Sequence, residues 1–104
     1  MTIKDYERDA LKYANGFTLT EAVLGLCGEA GECAEMLKKH KYQGHKFDST
    51  AFAKELGDVA WYLNLAAFVS GYTLEEILNI NIQKLKKRYP EGFDRERSIH
   101  REEE

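Results

Sequence analysis

Apolar residues recur at intervals of three and four from the N-terminus to Pro90, the chain's one proline, and show no alternating stretch. That spacing commits the chain to helices, because an α-helix returns to the same face about every 3.6 residues and a strand every two. A chain of 104 residues makes one domain, and its expected fold is all-α, a four-helix bundle-like domain. Domains of this size are only modestly stable alone, so assembly as a homodimer or homotetramer is expected. The periodicity predicts helices from about Thr2 to Asn15, from Thr18 or Thr20 to His40, from Asp48 or Ser49 to Val69, and from Thr73 to Pro90. Thr73 and Glu76 form the T-x-x-E capping box of the last. Residues 1–93 constitute the domain; residues 94–104 read as a charged, disordered tail.

Composition narrows the function class. A formal charge of −3 argues against a general surface for nucleic acid polymers, and no apolar run has the length of a membrane span or signal peptide. A cytoplasmic protein is expected, with Cys27 and Cys33 as reduced thiols.

Four acids break the apolar pattern. Projected at about 100° per residue, Glu29 falls among Ala22, Leu26, Cys33 and Met36, with Glu32 about 60° away beside Gly25. Glu55 falls among Phe52, Val59, Leu63 and Ala66 on one flank and Tyr62, Asp58 and Leu65 on the other. Glu35, by contrast, points toward Lys38. Acids on an apolar seam are costly unless a cation compensates them. Two i, i+3 carboxylate pairs on facing helices supply the hard oxygen donors that Mg²⁺ or Mn²⁺ takes. Zinc fits less well, since neither the cysteines nor His40, His45 and His100 have its ligand spacings. The competing explanation is a set of ordinary salt bridges with lysines.

A second set has the opposite charge. Asn81, Lys84 and Arg88 share one face of the last helix with Leu74, Leu78 and Leu85 to one side, while Lys86 and Lys87 project away. An amide, an ammonium and a guanidinium on one face suit a polyphosphate. Pairing of Lys84 and Arg88 with the seam acids is the alternative. The glycines at 25, 28 and 31 cost helix stability, which close backbone approach or space for a ligand would explain. Tyr62, on the Glu55 side, is a candidate for stacking on a base, and Trp61 a candidate subunit contact; ordinary packing competes for both.

The segments GLCGEAGECAEMLKK, ELGDVAWYLNLAA and NIQKLKKRYPEGF resemble the MazG-like all-α nucleoside triphosphate pyrophosphohydrolases over roughly Phe17 to Phe93. The resemblance implies Mg²⁺-dependent cleavage between the α and β phosphates of a nucleotide, giving the monophosphate and pyrophosphate. It also implies that Glu29, Glu32, Glu55 and Asp58 are metal ligands and that Asn81, Lys84 and Arg88 contact phosphate. Many members carry a doubled acid before the first pair; this chain has Gly28 there, which leaves the number of metal ions open. The expected mechanism has an activated water attack phosphorus, with Glu55 in the catalytic set, Glu32 as a candidate general base and Lys84 stabilising developing charge. A non-catalytic, metal-dependent nucleotide sensor and a helical dimerisation module are the rival functions.

Overall fold

The computed structural model describes residues 1–100, and the last four residues of the tail expectation lie outside them. Among the described residues five helices appear in chain order: α1 (Ile3–Leu11), α2 (Leu19–Gln43), α3 (Ser49–Val69), α4 (Leu74–Arg88) and α5 (Arg95–Ile99). No strand forms among the described residues, so the all-α expectation holds. No helix among them is long and apolar enough to cross a membrane.

Capping chemistry sets where the helices begin. Thr2 and Thr18 each accept the backbone N–H three residues on, from Asp5 and Glu21, whose carboxylates return the bond to the cap residue's N–H. Asp48 accepts from the N–H groups of Thr50 and Ala51, both at 3.1 Å, and opens α3. These bonds satisfy donors that a helix leaves unpaired in its first turn. α2 runs past the expected His40 because Gly44, at φ 74°, supplies the left-handed residue that ends it.

The chain divides into two compact units, Met1–Leu74 and the remainder from Glu75. In the first, α3 packs against both α2 and α1. Four of its buried residues are small, Ala10, Ala22, Cys33 and Ala67; the others are Leu65, Leu74 and the polar Asn64. Leu37 of α2 is 48% exposed.

In the second unit, α4 carries Glu75 and Glu76 in its first turn and Lys86, Lys87 and Arg88 in its last, the charge order that complements the helix dipole. Residues 95–99 were expected within the disordered tail and instead form α5. Asp94 accepts the N–H groups of Glu96 and Arg97, and the Arg97 Nε–H donates to the Arg88 carbonyl at 3.1 Å. The capped start and a partner for an end-of-helix carbonyl offset the ordering entropy that charge composition suggests is prohibitive.

Candidate metal centre between α2 and α3

Two helices that start at fixed caps and run antiparallel bring distant acids together. Glu29 of α2 and Glu55 and Asp58 of α3 each offer a carboxylate oxygen, and the three oxygens lie within 4.8 Å of one another. Glu29 and Glu55 are half-buried and Asp58 is exposed. The cluster therefore opens to solvent on one side. Glu55 Oε2 is buried with no hydrogen-bond partner among the described residues, a costly condition for a carboxylate oxygen.

Electrostatics points the same way. The Glu29 carboxyl is pushed above the usual glutamate value, first by a hydrogen bond with Glu55, then by desolvation, then by the charges of Glu55, Asp58 and Glu32. Such a shift is expected where carboxylates meet without a cation, since one of a close pair does better to hold a proton. The neighbouring Cys33 thiol is likewise pushed up, chiefly by burial and then by Glu55 and Glu29. Within the first unit, no lysine or arginine forms a salt bridge with Glu29, Glu32, Glu55 or Asp58 among the described residues. The ordinary salt-bridge explanation thus fails there. It succeeds for Glu35, which pairs with Lys38 at 3.3 Å.

A partnerless carboxylate oxygen, mutual repulsion and an all-oxygen donor set fit a hard divalent cation. Three of the four expected ligands converge. Glu32 is exposed and falls outside the three-oxygen cluster, although its charge reaches Glu29.

Other expected residues have different surroundings. A Cβ built on Gly25 would overlap the Tyr62 ring, so that ring lies directly on the α2 backbone; it also meets Trp61 edge-on at 4.9 Å. Trp61, for which ordinary packing competed with a subunit contact, packs within the chain and joins α3 to α1: its Nε1–H donates to the Ala10 carbonyl at 2.9 Å, and Phe17 packs edge-on against it at 5.7 Å. A second link runs from the Asn64 amide to the Glu7 carbonyl at 3.4 Å. Asn81 and Lys84 are exposed and Arg88 is half-buried, all on α4 in the second unit.

Tyr6 was not anticipated. Its phenol is pushed above the usual tyrosine value by burial and, secondarily, by the Asp58 charge, so α1 brings a phenol within electrostatic reach of the cluster. The only signal in the sequence is that Tyr6 and Ala10 share a face of the first helix. A separate cavity of about 270 Å³ lies on the α1 side of α3, lined by residues including Leu11, Asn64, Phe68 and Tyr72, and borders none of the expected site residues.

No curated protein and no solved structure matches the chain. A family model, the MazG nucleotide pyrophosphohydrolase domain, matches residues 17–93, a span that contains both carboxylate pairs and the α4 cations. With most of its length matched by that domain, the chain belongs to the MazG nucleotide pyrophosphohydrolase family.

Proposed function

We propose that the protein hydrolyses nucleoside triphosphates, ribo- or deoxyribo-, to the monophosphate and pyrophosphate, with Mg²⁺ held by Glu29, Glu55 and Asp58 and Mn²⁺ as a substitute. The observation that carries this reading is the three-oxygen cluster with its partnerless Glu55 oxygen, inside the span that matches the family. A bound divalent cation supplies Lewis acidity and neutralises phosphate charge there.

The chain's own residues supply the rest. Glu32, exposed beside the cluster and outside its oxygen set, is suited to accept the proton of the attacking water. Lys84, with Asn81 and Arg88, offers donors for phosphate oxygens on which charge accumulates. The balance is one water in, one monophosphate and one pyrophosphate out. Assembly as a homodimer or homotetramer is consistent with the exposure of Leu24 at 65% and Leu56 at 50% on the paired helices.

The experiment is a product assay with common nucleotides and millimolar Mg²⁺. Equal amounts of monophosphate and pyrophosphate are expected; release of single orthophosphate with a diphosphate would reject α–β cleavage. Lys84→Ala should lower kcat/KM by on the order of 10², while the rise in Tm caused by Mg²⁺ persists. Nucleotide binding without turnover would favour a sensor, and a Tm indifferent to Mg²⁺ a dimerisation module.

A further inference from the structure

Three glycines recur every third residue along α2, and the structure separates them. A Cβ at Gly28 or Gly31 would meet nothing within 4 Å. At Gly25 it would overlap three ring atoms of Tyr62. Gly25 stands four residues before Glu29, and Tyr62 four residues after Asp58, so on both helices the contact lies one turn from the carboxylates and on their face. The two pairs keep one antiparallel register: Gly25 meets Tyr62 where Glu29 meets Glu55 and Asp58.

We propose that Gly25 is a positioning residue for the metal centre: by leaving room for the Tyr62 ring against the α2 backbone, it fixes the spacing and register at which Glu29 reaches Glu55 and Asp58. This rests on the metal reading given above. The physical argument is that a ring seated against a backbone has no flexible neighbour to yield, so an added methyl must move the ring or the helix. Movement of either helix is transmitted to the next turn, because a helix is stiff over one turn while metal coordination tolerates only tenths of an ångström. Neither Gly25 nor Tyr62 belongs to the three-oxygen cluster, so a loss of affinity on substituting Gly25 reports the position of the ligands and not the removal of one.

The sign of one substitution at three positions tests this. Alanine improves helix propensity over glycine, so Gly31→Ala and Gly28→Ala should raise Tm in the metal-free protein by roughly 4 to 8 °C with Mn²⁺ affinity unchanged. Gly25→Ala should lower Tm and weaken Mn²⁺ binding, read by titration calorimetry with Mn²⁺ alone, by about tenfold or more. Adding Tyr62→Ala to Gly25→Ala removes the overlapping ring and should restore most of the affinity that the single variant loses. If Gly25→Ala is recovered only unfolded, Tyr62→Trp enlarges the same contact from the α3 side and should weaken Mn²⁺ binding while Tyr62→Phe does not.

Wild-type affinity in Gly25→Ala, or in Tyr62→Trp where that variant stands in, overturns the proposal. So does a loss of affinity that the double variant does not restore. A wild-type protein that binds no Mn²⁺ sinks the metal reading instead, so the two failures are distinguishable.

Discussion

α3 has two neighbours in the first unit and meets them by different means. Toward α1 the joint is polar and local: the Trp61 indole and the Asn64 amide each donate to a backbone carbonyl, of Ala10 and Glu7. Toward α2 the joint is steric and extended, with the Tyr62 ring seated on Gly25 and carboxylates meeting one turn away. A hydrogen bond of this kind contributes about 1 kcal/mol and tolerates small shifts, whereas a ring against a backbone tolerates almost none. The joint that tolerates least movement is thus the one that carries the carboxylate cluster.

The largest expected effect breaks the α2 joint chemically and leaves its packing alone. Asp58→Asn is nearly isosteric and should bring turnover to background while far-ultraviolet circular dichroism stays that of the wild type. Activity within tenfold of wild type would remove Asp58 from the ligand set.

A pH dependence confined to the metal-free protein should follow. The Glu29 carboxyl is held above its ordinary value chiefly by the hydrogen bond with Glu55, so just above that value the folded protein retains a proton that the unfolded chain has released. Folded protein then binds more protons, and stability falls as pH rises through this window; below the ordinary glutamate value the group contributes no slope. In EDTA, Tm should decline with pH over that window more steeply for wild type than for Glu29→Gln, and Mg²⁺ should remove the difference. A steeper decline in Glu29→Gln would contradict the assignment.

The α1 joint should fail more gently. Trp61→Phe loses the bond to the Ala10 carbonyl, costing about 1 kcal/mol and roughly 4 to 8 °C of Tm, with the Mg²⁺-induced shift unchanged. Loss of that shift would mean that the two joints are coupled.

The smallest effect compares two thiols on α2. Cys27 is exposed and Cys33 buried, and burial with the nearby carboxylates holds the Cys33 thiol protonated. Iodoacetamide should label Cys27 first, leaving the native protein with one slow thiol. Equal rates at both would place Cys33 outside the carboxylate environment.

Much of the α2 joint was legible because it is periodic. Glu29, Glu55 and Asp58 interrupt apolar faces, and angular position along a helix is computable from spacing, which also assigned Glu35 to the solvent side with Lys38. Glu32 shows the limit: an angle of about 60° from the seam does not say whether a carboxylate oxygen reaches a point in space. The glycines were indistinguishable in the sequence because what separates them is a ring on another helix. For Trp61 the packing alternative holds, but its partner could not be read from the sequence, since that carbonyl lies 51 residues away. α5 escaped because local capping by Asp94 outweighed a composition that reads as disordered.

Trp61 is the chain's only tryptophan, and its indole N–H is committed to α1. Fluorescence emission from the whole protein therefore comes with a built-in address: detachment of α1 would hydrate this one indole and shift its maximum to the red. α1 begins and ends before residue 17, where the match to the family begins. An unlabelled sample thus reports optically on a segment outside the matched span, while the carboxylate centre is followed by other means.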